Sequence, residues 1–198
     1  MSTYRRKRRS YHHGDLHAAL LRAAAEILEQ QGLGALSLRA AARRAGVSHT
    51  APYRHFSDRE ALLAALAAEG FARLAEALEQ ASRSGAQARG EAYVRFALAY
   101  PQRYRLMFGG LLRPEAHPEL ARAAARAYAE LIRTFAFVGD ARRAEVAAAA
   151  AWALVHGLSQ LLLDGHLTRA LRARESPGAF VREVLDAVRF VARVPHPE

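Results

Sequence analysis

Residues 37–59, SLRAAARRAGVSHTAPYRHFSDR, constrain the fold most, because they predict two short helices around a three-residue turn. Ser37 is placed to cap the first helix. Gly46 lies where a helix can end in the left-handed conformation that costs glycine nothing. The second helix is predicted to open at Ser48 and to survive Pro52, which forfeits one intrahelical bond. The segment is therefore predicted to be a helix-turn-helix.

Cap residues and apolar spacing predict the helices on either side. The preceding helix is expected from about Asp15 to Gln31, where Gly32 ends it. The segment Ser57 to Glu60 matches the S-x-x-E capping box, which predicts a further helix directly after the pair. The inward stripe of the preceding helix is predicted to be Leu16, Leu20, Ala24 and Ile27.

The exposed positions of the predicted second helix carry hydrogen-bond donors. A helix in the major groove of DNA needs such donors for phosphates and base edges. We therefore expect residues 13–60 to be a DNA-binding domain, with Tyr53 and Arg59 on phosphates and His49 and Thr50 nearest the bases. The predicted contacts are Ser37, Arg39, Ser48, His49, Thr50, Tyr53, His55 and Arg59.

Residues 1–12 carry a basic cluster immediately before the first helix. It is either a solubilising tail or an arm that follows phosphates or enters the minor groove, and the adjacent helix-turn-helix favours the arm. The formal net charge of +10 divides into +6 for residues 1–60 (11 Lys/Arg against 5 Asp/Glu) and +4 for residues 61–198 (18 against 14), which indicates a polyanionic partner near the N-terminus. Arg5, Arg6, Arg8 and Arg9 join the predicted DNA contacts.

Several classes of chemistry are disfavoured by composition. The chain has no cysteine, which excludes disulfides and thiolate metal sites. His12, His13 and His17 lack a carboxylate at ligand spacing, and no catalytic constellation is present, so we predict no metal, no cofactor and no enzyme. The apolar stretch 146–163 raises the question of a membrane span, but its alanines and polar residues favour a buried helix. Without an apolar signal core, the chain is expected to be cytoplasmic, with no membrane partner.

Residues 61–198 are predicted to be helical throughout, because no segment shows the alternation typical of strands. Glycines, prolines and caps indicate helices at about 59–82, 87–100, 101–108, 118–139, 140–165 and from 177 to before Pro195. The fold class is therefore all-α with about nine helices. Three form the DNA-binding domain, and residues 61–198 are expected to form a second helical domain.

Aromatic side chains crowd the middle helices of that second domain. An ordinary core explains any one of them, but four tyrosines and a tryptophan each need a partner for a polar atom, which favours a cavity for a largely apolar ligand. His156 is itself more often a satisfied core group than a ligand contact. The predicted ligand-binding residues are Phe71, Leu74, Tyr93, Phe96, Tyr100, Tyr104, Met107, Phe108, Tyr128, Trp152 and His156.

The last two long helices carry more apolar residues than one core-facing stripe needs. One interpretation is a four-helix bundle formed with a second copy, and the other is that the extra stripe covers the middle helices of a monomer. A single recognition helix reads few bases, which favours a homodimer. The predicted interface residues are Leu154, Leu158, Leu161, Leu162, Val181, Val184, Leu185 and Val188.

The segment AGVSHTAPYRHFSDREALL, with the helix GDLHAALLRAAAEILEQQGLGALSLRAAA before it, resembles the DNA-binding signature of the TetR (tetracycline-repressor-like) family of transcriptional regulators. Trp152-Ala153-Leu154-Val155-His156-Gly157 resembles the Trp-His-Gly motif of one C-terminal domain type in that family. Arg59 stands where such regulators commonly have lysine, and it should hold a phosphate at least as well. His49, Thr50 and Pro52 lie where the family varies, so the resemblance does not give the operator sequence.

The resemblance implies a homodimeric regulator, expected to be a repressor that leaves a palindromic operator when a small molecule binds the C-terminal domain. A constitutive DNA-organising protein of the same fold, with a filled core and no effector, is the second hypothesis. A helical enzyme that binds DNA incidentally is the third, and the missing nucleophile and metal spacing weigh against it.

Overall fold

The computed structural model describes residues 13–137, 139–172 and 176–188. Within these ranges the chain forms nine α-helices, four short 3-10 helices and no strand, which confirms the predicted all-α class. The predicted contacts Arg5, Arg6, Arg8 and Arg9 lie outside the described residues. The α-helices are α1 (His13–Gln31), α2 (Leu38–Arg44), α3 (Arg59–Gln80), α4 (Gly85–Ala99), α5 (Pro101–Phe108), α6 (Pro118–Thr134), α7 (Ala141–Leu163), α8 (Thr168–Arg172) and α9 (Pro177–Ala187).

The chain divides into two compact units, the first ending at Leu66 and the second beginning at Ala67. In the first unit α1 packs on α2, and three of the four predicted stripe residues of α1 are buried. Leu16, at the start of the stripe, is half-buried. The core of this unit is closed by Leu36, Leu38, Phe56, Leu62 and Leu63.

The turn after α2 has the geometry that the sequence predicts. The Ser37 hydroxyl accepts from the Ala40 amide at 3.1 Å and caps α2. Gly46 has φ +70°, its amide donates to the Arg43 carbonyl, and the Val47 amide donates to the Ala42 carbonyl. This pair of bonds is the Schellman arrangement, which satisfies the last carbonyls of a helix.

The predicted helix from Ser48 is wrong, because the structure has only a 3-10 helix at Ala51–Arg54. The first α-helical bond after Ser48 would come from the amide of residue 52, which proline lacks. Instead the Ala51 amide donates to the Ser48 carbonyl at 3.0 Å, and the His55 amide donates to the Pro52 carbonyl at 2.9 Å. The Pro52 ring is buried, so one tight turn replaces the expected longer helix.

The predicted cap of α3 is displaced by one residue. The Asp58 carboxylate, rather than the Ser57 hydroxyl, accepts from the Ala61 amide at 2.8 Å, and Ser57 donates to the other Asp58 oxygen at 3.1 Å. A carboxylate at a helix N-terminus also interacts favourably with the helix dipole. The helix therefore starts at Arg59, and Asp58 occupies the capping position.

In the second unit, α4 packs on α7 and α9, and α6 packs on α7. Asp140 caps α7 and Ser176 caps α9, as their sequence positions predict. The predicted helix ends at 82 and 139 are too late, because α3 ends at Gln80 and α6 at Thr134. The short helix α8 was not predicted from the sequence. The main core of this unit includes Leu74, Leu78, Tyr93, Phe96, Tyr104, Val155, Leu158 and Phe180.

Helix α7 is, among the described residues, the one helix long and apolar enough to cross a membrane by length and composition. One face is buried, including Ala148, Val155 and Ser159. Only 33% of its most apolar stretch is buried, and the exposed positions are mainly alanines with Val146 and Leu161. Helix α7 therefore combines a core-facing side with an apolar exposed side.

Candidate functional site

The first unit presents a polar face built around the helix-turn-helix. Ser48, His49 and Thr50 are exposed, and the Ser48 and Thr50 hydroxyls are 3.2 Å apart. Tyr53 projects from the 3-10 helix with 53% of its surface exposed, although its ring is large and apolar. Arg39 is exposed on α2, whereas Ser37 and His55 are half-buried. The predicted contact residues are thus available on one short stretch of chain.

Arg59, predicted to hold a phosphate, also braces the first unit. Its Nε donates to the Leu36 carbonyl at 2.8 Å, and its Nη2 donates to the Leu33 carbonyl at 2.7 Å. These carbonyls lie in the connection between α1 and α2, which contains the short 3-10 helix Leu33–Ala35. The guanidinium therefore fixes that connection, and only Nη1 is uninvolved in these two bonds.

His17 has a structural contact that the sequence did not reveal. Its ring stacks on Phe56 at 5.0 Å between centroids, and it meets the His55 ring edge-on at 5.8 Å. Phe56 is buried and closes the end of the 3-10 helix. His17 thus packs beside the 3-10 helix, and no group of three potential metal ligands is present among the residues that the structure describes.

The second unit contains an apolar cavity of about 510 Å³, the α3–α7 cavity, which lies between α3, α4, α5, α6 and α7. Seven of the eleven predicted ligand-binding residues line it: Phe71, Leu74, Tyr93, Met107, Phe108, Tyr128 and Trp152. The sequence analysis missed Leu78, Gly110, Leu112, Pro114, Ala124, Ala125, Ala127 and Leu131. The spacing of Leu78 from Leu74 and of Leu131 from Tyr128 was available as a signal for two of them. No charged side chain is among these lining residues.

A buried hydrogen-bonded chain stands behind one wall of the cavity. The Trp152 indole donates to the Tyr93 hydroxyl at 3.1 Å, and the Tyr93 and Tyr104 hydroxyls are 3.4 Å apart. The Tyr104 hydroxyl lies 2.7 Å from Nδ1 of His156, and the Tyr93 hydroxyl lies 3.1 Å from the same atom. The two hydroxyls, the indole N–H and Nδ1 of His156 therefore each have a partner, as buried polar groups require.

The hydrogen-bond geometry and the protonation of these groups together indicate the direction of this series of bonds. Burial raises the pKa of both tyrosine hydroxyls, so both remain protonated and able to donate. Burial lowers the pKa of His156, which favours the neutral ring. Because the Tyr104 hydroxyl lies at Nδ1 and can donate, we assign Nδ1 as the acceptor. The chain therefore runs from Trp152 through Tyr93 and Tyr104 to His156.

Four predicted ligand-binding residues do not line the cavity. Tyr104 is fully buried, and both Tyr104 and His156 lie within hydrogen-bond distance of the Tyr93 hydroxyl rather than in the cavity wall. Phe96 and Tyr100 line a polar groove between α3 and α4, together with Arg73, Gln80 and Glu91. These two assignments are corrected: Phe96, one turn after Tyr93, lines the groove rather than the cavity, and Tyr100 lies just beyond the end of α4.

The predicted dimer residues separate into three groups by burial. Leu158, Leu162 and Val181 are buried in the core of their own unit. Their assignment to the dimer interface is therefore wrong. Leu161 and Val188 are exposed, at 44% and 39%. Leu154, Val184 and Leu185 are half-buried. The exposed strip of α7 also includes Val146, Ala149, Ala150 and Ala153.

A first unit in which α2, a tight turn and a 3-10 helix follow one another, with a helical unit that holds an apolar cavity, is the arrangement expected of helix-turn-helix transcriptional regulators. Comparison with known proteins makes the assignment specific. Residues 20–66 match the family model for bacterial regulatory proteins of the tetR family, and residues 86–188 match that for the tetracyclin repressor-like C-terminal domain. The chain belongs to the TetR family of transcriptional regulators.

Solved structures agree with this assignment. A protein of unknown function from Rhodococcus sp. RHA1 is 37% identical, with a TM-score of 0.75 over 91% of this chain and 94% of that one. The multidrug binding protein EbrR, in complex with imidazole, is 25% identical, with a TM-score of 0.53 over 87% and 89%. The TetR family regulator PfmR from Thermus thermophilus shares the fold at 19% identity, with a TM-score of 0.60 over 84% and 91%. No curated protein sequence matches the chain.

Proposed function

We propose that this regulator represses transcription as a homodimer on a palindromic operator and leaves the DNA when a small, uncharged, largely apolar molecule occupies the α3–α7 cavity. The observation that carries the proposal is the cavity itself, because its volume of about 510 Å³ falls within the range of small-molecule sites. A constitutive DNA-organising protein would need no such space. The regulator would act in the cytoplasm, where its operator lies, without catalysing a reaction.

Residues 13–60 would bind the operator. The exposed residues Ser48, His49, Thr50 and Tyr53 supply donors on one face, and Arg39 supplies a charge. An operator selected from random DNA would provide the ligand for binding measurements. We expect Arg39→Gln to lower the slope of log affinity against log salt by about one unit, since one phosphate contact is lost. The matched charge change Arg169→Gln, on the exposed face of α8, should leave the slope unchanged.

Changes at the base-contacting positions should behave differently. We expect Thr50→Ala and His49→Ala to alter the preferred sequence by about 1–3 kcal/mol while keeping the salt slope. Tyr53→Phe should weaken all sequences alike, because its hydroxyl is assigned to a phosphate. Unchanged affinity and preference in all of these variants would remove this face from the DNA-binding site.

Ligand chemistry follows from the cavity walls. The described lining residues are aliphatic and aromatic, and those that carry a polar side-chain atom are Tyr93, Tyr128 and Trp152. A charged ligand would lose its hydration without gaining a counter-charge there. We therefore expect an uncharged molecule that contacts aromatic faces.

Helix α3 would carry the signal. It is continuous from Arg59, which fixes the α1–α2 connection, to Leu74 and Leu78 in the cavity wall. A ligand releases the operator only if it binds the DNA-incompetent arrangement more tightly, because equal affinities shift no equilibrium. A change in the position of α3 would provide the difference between the two arrangements.

A thermal-shift screen with apolar compounds would identify a ligand, and operator affinity would then be measured with and without it. Ala124→Phe narrows the cavity and should abolish ligand binding while operator binding persists. Ala129→Phe, on the same helix but outside the lining, is the matched control. A ligand that binds the parent tightly but leaves operator affinity unchanged would support the constitutive alternative.

The homodimer would use the exposed side of α7 together with α9. Val146, Ala150, Ala153 and Leu161 form an apolar strip at helical spacing, and small residues allow two helices to approach closely. Residues 37–59 of the two copies, held about 34–36 Å apart or at a multiple of one DNA turn, would then contact the two halves of a palindrome. We expect Leu161→Glu with Val188→Glu to give monomers by sedimentation and much weaker operator binding. A monomeric parent protein at micromolar concentration would contradict this arrangement.

A further inference from the structure

A second cavity of about 230 Å³ lies in the same unit, between α4, α6, α7 and α9. Most of its wall is apolar and includes Leu131, Phe135, Val155 and Leu185. Arg89 of α4 also lines it and is the one charged residue among the described lining residues. A cation in an apolar cavity is unusual, because burial of an unpaired charge is costly.

The contacts of Arg89 are with uncharged groups. Its Nε donates to the Leu78 carbonyl at 3.2 Å, and its Nη1 donates to the Thr134 hydroxyl at 2.5 Å. These bonds hold the guanidinium near the ends of α3 and α6, where helix carbonyls contribute partial negative charge. They fix the orientation of the group, and Nη2 takes part in neither bond.

Among the residues that the structure describes, no carboxylate forms an ion pair with Arg89. The buried Glu130 carboxylate, one helical turn before Thr134, pairs with Arg133. The Gln87 amide, which also lines the cavity, donates to Asp186 at 2.8 Å. The positive charge of Arg89 therefore has hydrogen-bond partners without an acidic partner in this part of the chain.

We infer that this cavity binds a small monocarboxylate with an apolar body, its carboxylate on Arg89 and its hydrocarbon part against α6, α7 and α9. The planar guanidinium matches the two oxygens of a carboxylate. One cation balances one negative charge, whereas a phosphate dianion would keep an uncompensated charge among apolar walls. This site differs from the α3–α7 cavity, which lacks a charged wall residue, and it does not depend on the proposed release from DNA.

The two cavities share Tyr93 and Leu131 in their walls. Because Trp152 donates to the Tyr93 hydroxyl, a molecule against Tyr93 changes the surroundings of the indole. Trp152 is the single tryptophan of the chain, so its fluorescence reports binding without a label.

Octanoate and its uncharged analogue octanamide test the site in the full-length protein without DNA. Both are titrated by calorimetry and by Trp152 fluorescence. We expect octanoate to bind at least about tenfold more tightly than octanamide, since a charge-assisted bidentate contact distinguishes them. Equal affinity of the two probes, or no binding of octanoate, would overturn the inference.

Variants separate recognition from a purely structural role of Arg89. Arg89→Gln should bring the affinity ratio of the two probes close to one, whereas Arg95→Gln, an exposed change on the same helix, should keep the parent ratio. If Arg89→Gln does not fold, Arg89→Lys keeps the charge without the planar pair of donors and should reduce the ratio. A parent-like ratio in a folded Arg89 variant would assign the residue to scaffolding alone. Ala124→Phe, in the other cavity, should leave octanoate binding unchanged, and its loss would place the probe there instead.

Discussion

The hydrogen bonds that link Trp152, Tyr93, Tyr104 and His156 beside the α3–α7 cavity predict that Tyr93→Phe and Tyr104→Phe lower the free energy of unfolding by unequal amounts. Both hydroxyls are buried, since Tyr93 and Tyr104 are 1% and 0% exposed, and both substitutions remove one oxygen without changing the ring. Both changes remove the same chemical group, so the substitution itself gives no reason for unequal costs. The difference comes from which partners each change leaves without a hydrogen bond.

Tyr93→Phe removes the acceptor of the Trp152 indole, while Tyr104 keeps its bond to His156. A donor left without a partner costs about 1–3 kcal/mol, and the lower half of that range applies because Trp152 is only half-buried. Tyr104→Phe leaves Tyr93 within 3.1 Å of His156 Nδ1, so Tyr93 can donate there while still accepting from Trp152. The expected cost is then about 0.5–1.5 kcal/mol.

Urea unfolding at one fixed protein concentration, followed by circular dichroism, measures the two costs, because the proposed dimer would make the stability depend on concentration. The midpoints of thermal unfolding should differ in the same order, by about 2–4 °C per kcal/mol for a chain of this size. Tyr128→Phe, in the cavity wall but outside the chain of bonds, is the matched control. If Tyr104→Phe proved as costly as Tyr93→Phe or more so, the assigned direction of the chain would be wrong.

Three further predictions address other parts of the chain. Gly46→Ala should lower the free energy of unfolding by about 1 kcal/mol, because φ at this position is +70°. Gly34 has equally open surroundings but no left-handed backbone, so Gly34→Ala should be neutral or slightly stabilising. Urea unfolding of the two variants compares them. Burial lowers the pKa of His156 below its ordinary 6.5, so the unfolded chain binds a proton on this residue more readily than the folded chain does. The free energy of unfolding should therefore fall as the pH drops from 6.5 through the lowered pKa. His156→Gln should flatten that part of the pH profile. Arg59→Met should lower the free energy of unfolding by about 1 kcal/mol because it releases the Leu33 and Leu36 carbonyls, and parent-like stability would contradict the bracing role.

Local rules predicted the parts of the fold in which a residue and its nearest neighbours decide the geometry. Ser37, Gly46, Asp140 and Ser176 occupy the caps and turn that their sequence positions indicate. The same rules failed at Pro52, where the missing amide favoured one 3-10 turn over a longer helix. A cap can be recognised from a few residues, whereas the length of a helix also depends on what its next turn contacts.

The candidate site required information that local patterns do not contain. Aromatic residues on α3, α5 and α7 were correctly expected around a cavity, but Tyr104 and His156 lie behind its wall. Leu158 and Leu161 look equivalent in sequence, yet the first is in the core and the second is exposed. Arg89 gave no signal at all, because its significance comes from apolar neighbours on three other helices.

Three alanines of α6, Ala124, Ala125 and Ala127, form part of the wall of the α3–α7 cavity. A change from alanine to valine requires one nucleotide substitution, adds two methyl groups to such a wall, and costs a helix at most about 0.7 kcal/mol in propensity. The inner dimensions of the cavity can therefore change in single mutational steps while the helix that supports them persists. Single substitutions on α6 can therefore alter the shape of the cavity while residues 13–60, which we propose to bind DNA, stay unchanged.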